Sequence, residues 1–204
     1  MPRVKIPRKS TAIDMTAMCD VAFLLLTFFI LTAKPRTDDP IPVDQPAAAI
    51  TTQLPESDVA VLTVGQKKIF FGVEGAEIRK QTLAKMGEKY KITFTADEAN
   101  KFAALPTFGV DINSLKQFLA LSADDRKQYV QKGIPIDTTD NNQLFDWVKQ
   151  SRIVTASLDT KEMKVAIKGD SKEEYPTIAM IIKVLQKQKV NKFALITNVK
   201  TVAK

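Results

Sequence analysis

The stretch Ala12-Ile13-Asp14-Met15-Thr16-Ala17-Met18-Cys19-Asp20-Val21-Ala22-Phe23-Leu24-Leu25-Leu26-Thr27-Phe28-Phe29-Ile30-Leu31-Thr32-Ala33 decides how this chain is built. The uncharged run, residues 21–33, is short for a membrane-crossing helix and by length alone also fits the core of a secretion signal. Extended back to Met15, a helix over residues 15–33 just spans a hydrocarbon core about 30 Å thick at about 1.5 Å per residue. That reading puts Asp20 inside the membrane, on a helix whose apolar zone Met15, Ala17, Met18 and Cys19 continue on the near side of the acid. A carboxylate there costs roughly 2.5–3.5 kcal/mol on insertion scales, which marks it as a functional group. A cleaved signal is the poorer reading. Cutting after Ala33 calls for a small residue where Leu31 stands, and an acid is out of place so close to a signal's apolar core.

Arg3, Lys5, Arg8 and Lys9 precede the span, whereas Lys34 and Arg36 after it are followed by Asp38 and Asp39. The positive-inside rule then keeps the N-terminus in the cytoplasm. The expected location is a single-pass inner-membrane protein with its C-terminal part in the periplasm. At 100° per residue, Asp20 and Thr27 differ by about 20° around the helix, and Thr16 lies one turn before Asp20. Thr16, Asp20 and Thr27 thus form a polar stripe on an apolar rod. Two readings of the threonines stand side by side: they extend a proton path, or they satisfy their own helix carbonyls.

The composition narrows the rest. The chain has 204 residues, a hydrophobic fraction of 45% and a formal charge of +7, which fits one medium domain plus an appendage. Basic residues crowd the first ten positions and are otherwise scattered among acids, with no interleaved aromatic residues, so nucleic acid is not an expected partner. With no histidine and a single cysteine, Cys19, histidine catalysis, histidine metal sites and internal disulfides are all excluded. No nucleophile motif or phosphate loop appears. Neither enzymatic activity nor a cofactor or metal is expected.

After the span, residues 34–57 hold Pro35, Pro40, Pro42, Pro46 and Pro55 and read as an extended linker, with strand addition as the alternative to a passive tether. The alternating run from Val59 to Val64, a Gly65-Gln66 turn and the run from Lys67 to Phe71 read as a β-hairpin. Later, Asp140-Asn141-Asn142-Gln143 reads as a capping box opening a helix that carries Trp147 as a core residue, and residues 174–187 form an amphipathic helix with Pro176 in its first turn. Residues 74–139 carry helical signals at 77–89, 95–104, 114–121 and 123–131. The order hairpin, helix, strand, helix, strand gives an α+β fold: one transmembrane helix, then a two-layer domain with a small sheet and helices on one face, carrying a helical insertion. The expected organisation is a cytoplasmic tail at 1–14, the transmembrane helix at 15–33, the linker at 34–57, the domain at 58–73 and 140–200, the insertion at 74–139 and a tail at 201–204. Deleting the insertion is expected to leave the rest of the domain folded.

On its quoted residues the chain resembles the ExbD/TolR family of biopolymer-transport proteins. The segment from Ile13 to Val21 follows that family's stretch of basic head, Asn-Val-Thr-Pro-like segment and Ile-Asp-Val before an apolar helix, and Asp20 falls on the family's membrane aspartate. It departs from the pattern at Asp14, Ala17 and Cys19, where asparagine, proline and isoleucine are usual. The segments from Met163 to Asp170, Tyr175 to Gln186 and Lys192 to Asn198 are similar to the family's strand-helix-strand. Val43-Asp44-Gln45-Pro46 is similar to its valine-polar-leucine-proline segment, which makes Val43, Asp44 and Pro46 a possible periplasmic partner segment. The resemblance covers residues 1–72 and 140–200. It implies two such helices enclosed by an ExbB/TolQ-like polytopic membrane protein in the lipid bilayer, so that the chain pairs with itself, and protonation of Asp20 driving rotation. The work then passes to a TonB-like protein and on to outer-membrane transporters. A TolR-like role in envelope maintenance is the alternative within the family, and a secreted or anchored periplasmic binding protein is the alternative outside it.

Overall fold

The computed structural model describes residues 15–33, 43, 47–48, 57–136, 142–170, 173, 175–196 and 198–199. The chain divides into two compact units, Met1–Thr37 and Asp38–Lys204. The first contains helix α1, Met15–Thr32, which begins where the apolar reading places it.

The second unit is built on a five-stranded sheet. Its strands are β2 (Val59–Gly65), β3 (Lys68–Val73), β4 (Thr107–Phe108), β5 (Lys164–Gly169) and β6 (Phe193–Ile196), in the order β4-β3-β2-β5-β6. β2 and β3 form the predicted hairpin, antiparallel with Leu62 opposite Phe71. Its turn falls one residue later than the sequence suggests: Gln66 and Lys67 occupy the left-handed region at φ 54° and 59°. That pair of conformations matches the twist of a two-residue hairpin, and so wins over Gly65 at the turn. β5 and β6 are parallel to their neighbours, which requires a crossover helix between them. That helix is α7, Tyr175–Lys187.

Pairing fixes which side chains share a face. Phe108, Phe71, Leu62, Ile167 and Leu195 form one row across all five strands, and period-two alternation puts this row and the residues two positions along each strand on the same side. Phe71, Leu62 and Ile167 are buried in one cluster with Ile78, Leu83 and Met86 of α2 (Ala76–Tyr90), Trp147 and Val148 of α6 (Gln143–Asp159), and Ile181 and Leu185 of α7. The result is the expected two-layer α+β arrangement.

The local signals mostly hold. α3, Ala96–Ala103, opens with a full capping box, Thr95 and Glu98 each bonding the other's backbone N–H. α4 (Ile112–Ala120) and the short α5 (Ala123–Gln128) are capped by Asp111 and Ser122. α6 starts differently from expectation: its N-cap is Asn142, whose side chain accepts from the N–H groups of Leu144 and Phe145. Asp140 lies outside the described residues.

One reading needs correction. Residues 76–128 carry the expected helices, α2 to α5, but they share one core with the rest of the domain. Ile78, Leu83, Met86, Phe102, Leu115 and Phe118 lie in the same buried cluster as the β-strands, Phe108 of β4 extends the sheet, and Phe102 stacks on Trp147 at 5.7 Å. In the linker, the described residues carry the strand-addition alternative. Ala47–Ala48 forms strand β1, paired in parallel with β7, Asn198–Val199, which begins two residues after the end of β6. Backbone donors and acceptors at a strand edge are satisfied by an added strand, whatever its side chains.

Candidate functional site

Helix α1 has 18 residues, about 27 Å at 1.5 Å per residue. It is long and apolar enough to cross a membrane. Asp20 is its sole charged residue. Phe23, Leu26 and Ile30 are 63%, 56% and 65% exposed, a surface that water does not tolerate in a contiguous patch and that hydrocarbon or partner helices would cover. Asp20 is exposed on the same rod, available to whatever packs there.

The helix is continuous from Met15 to Thr32, so Thr16, Asp20 and Thr27 do share one side of it. The structure also shows what Thr27 does within the helix: its Oγ1 donates to the Leu24 carbonyl at 2.9 Å, as Thr32 Oγ1 does to that of Phe28 at 2.8 Å. Such back-bonding lets a hydroxyl sit in an apolar helix without an unsatisfied donor. Asp20 has no side-chain bond of this kind among the described residues. Of the possible partner segment, Val43 is half-buried, whereas Asp44 and Pro46 lie outside the described residues.

In the second unit, the most heavily engaged ionisable group is one the sequence reading passed over. Asp146 of α6 is 1% exposed. It is ion-paired with Lys89 and accepts a 2.8 Å hydrogen bond from the Tyr90 hydroxyl, both from the last turn of α2. Burial, and then the bond to Asp146, push the Tyr90 phenol above its ordinary value. An acid between Leu144 and Trp147 on a core-facing helix was the signal available, because a charge there must have a partner. The three groups clamp α2 to α6. Among the described residues no cluster of acids or cysteine could hold a metal ion.

No curated protein and no solved structure matches the chain. The family model described as biopolymer transport protein ExbD/TolR matches residues 7–199. That match takes in the apolar helix and Asp20, and it runs through residues 74–139 as well as the strand-helix-strand. The chain belongs to the ExbD/TolR family, membrane-anchored subunits of proton-driven motors that work with partners of the ExbB/TolQ and TonB/TolA types.

Proposed function

We propose that this chain is the ExbD-like subunit of an inner-membrane complex that uses the proton gradient to energise TonB-dependent transport across the outer membrane. In this reading Asp20 is the proton carrier, the N-terminus is cytoplasmic and the second unit works in the periplasm. One observation carries it: a single carboxylate stands in an otherwise uncharged, membrane-length helix. Such a group is retained against its insertion cost only when it has work to do.

The physics of the step follows from that placement. Holding a charge in hydrocarbon is costly, so Asp20 takes up a proton when it faces lipid and gives it up when a polar path opens beside it. A charge moving through the field gains about 2.3 kcal/mol per 100 mV, which a helix free to turn can convert into displacement. An ExbB/TolQ-like ring supplies the polar path and a second copy of α1 the counterpart. Thr16 and Thr27 lie on the same side, and Thr27 would line the path if its hydroxyl turns from the Leu24 carbonyl.

Asp20→Asn tests the reading, since it keeps size and hydrogen bonding but cannot exchange a proton. Insertion and assembly should survive while gradient-dependent uptake falls to the level of cells lacking the chain. Normal uptake at normal expression would make the chain a passive anchored protein. Measuring envelope integrity in the same cells separates this role from a TolR-like one: loss of integrity with uptake intact favours the latter.

A further inference from the structure

The second unit holds a cleft of about 640 Å³ where the β2–β3 turn, the start of α4, the segment through Gly133 and the start of α7 meet. Its apolar lining includes buried Ile69 and Ile134 and exposed Met180, while Lys67, Lys68 and Lys132 also line it. The lysines are gathered by backbone geometry. Ile134 N–H donates to the Ile69 carbonyl and Gly133 N–H to that of Gly109, both at 2.8 Å. Gly133 lies in the left-handed region at φ 89°, so close that a Cβ there would fall 3.0 Å from Lys68 Cβ. Lys132 is therefore held next to Lys68.

Of the described acids nearby, Asp111 and Glu173 each accept hydrogen bonds, one Glu173 oxygen being buried without a partner. Asp111 lines the cleft, but its carboxylate caps α4 through Asn113 N–H and takes a 3.1 Å bond from the Gln143 amide. Glu173 accepts the Lys67 backbone N–H at 3.2 Å. Lys68 and Lys132 make no ion pair among the described residues. A volume of this size with an apolar lining and a few charged groups is what small-molecule sites look like.

We propose that this cleft binds a small amphipathic organic anion, an aliphatic or aromatic body bearing a carboxylate or phosphate. The body rests on Ile69, Ile134 and Met180 and the anionic group faces Lys68 and Lys132. A longer peptide fits less well, because the backbone N–H groups of Gly133 and Ile134 that a strand would need are already bonded internally. A ligand here bridges the β2–β3 turn, α7 and the segment around Gly133, and so stabilises the folded domain by mass action.

The test is photolabelling of the full-length chain, held in nanodiscs of zwitterionic lipid, with 4-benzoylbenzoate, an aromatic carboxylate. Saturable labelling is expected on peptides containing Tyr129 and Met180, both of which line the cleft, and none with neutral benzophenone. Lys68→Glu with Lys132→Glu should weaken half-saturation at least tenfold, while Lys127→Glu on α5 leaves it unchanged. Met180→Trp, which keeps the charges and fills the cleft, should remove labelling as well and guards against a misfolded double variant. Scattered labelling, or saturation that neither set of changes affects, would overturn the proposal. Displacement by a capped acidic tetrapeptide at concentrations below those of 4-benzoylbenzoate would overturn it in favour of a polypeptide partner.

Discussion

The Tyr90 hydroxyl donates to Asp146 Oδ2 at 2.8 Å, joining the end of α2 to the first turn of α6, while Lys89 reaches the other oxygen of the same carboxylate. The two charges differ in their access to water: the Asp146 side chain is 1% exposed and that of Lys89 42%. Removing the lysine leaves a buried carboxylate without its counter-charge, whereas removing the acid leaves an ammonium that can turn to solvent. Lys89→Met is therefore expected to cost about 3–5 kcal/mol and Asp146→Asn about 1–3 kcal/mol. Chemical unfolding of the two variants measures the order, and equal costs would contradict the asymmetry.

Tyr90 gives this clamp a pH dependence at the alkaline end. Its folded phenol lies above the unfolded value of about 10. The stabilisation from that shift is fully present below about pH 10 and is lost as pH rises through the folded value. Tyr90→Phe should therefore be destabilised by a constant amount up to about pH 10, with the gap to the unsubstituted chain closing above it. Phenolate absorbance followed in parallel should lose its latest-titrating component in the variant. An unchanged titration would mean that Tyr90 is not held by Asp146 in solution.

Asp20 could be read from sequence and Asp146 could not, and the difference is one of range. The penalty for a charge in hydrocarbon acts on local composition, so Asp20 stands out within its own run. Asp146 is explained by Lys89 and Tyr90, 57 and 56 residues away, and no window of sequence contains both. The same holds for the strands. The run from Val59 to Val64 and the Thr95/Glu98 capping box are local patterns and were legible. β4 has two residues and exists because Gly72, lacking a side chain, admits the Pro106 carbonyl to within 2.5 Å of where a Cβ would stand. β1 depends on a partner at the far end of the chain. Residues 74–139 read as separate because each helix is amphipathic by itself, a pattern that shows a buried face without showing whose core it joins.

A second close approach makes a sharp packing test. A Cβ on Gly109 would fall 2.3 Å from Phe70 Cδ1, and Phe70 is fully buried. Gly109→Ala is expected to destabilise the domain by about 1–3 kcal/mol through overpacking. Adding Phe70→Leu should recover part of that loss, so that the double variant is more stable than the sum of the two single effects. Strict additivity in a double-mutant cycle would show that the two positions do not press on each other.

Trp147 is the chain's one tryptophan and reports on the last question, whether the domain can do without residues 74–139. Its indole is fully buried, stacked on Phe102 at 5.7 Å and met edge-on by Phe108 at 4.8 Å. Both partners come from the segment in question. Phe102→Ala alone should cost about 3–5 kcal/mol, a large share of the 5–15 kcal/mol that holds a typical domain together. Deleting the segment also removes Ile78, Leu83, Met86, Leu115 and Phe118 from the shared core, leaving only α6 and α7 of that cluster to cover the sheet. A chain with a short linker in place of residues 74–139 is therefore expected to show the red-shifted emission of a solvated indole and no cooperative unfolding. Buried-type emission with a cooperative transition in the shortened chain would mean that the hairpin and the strand-helix-strand close a core of their own.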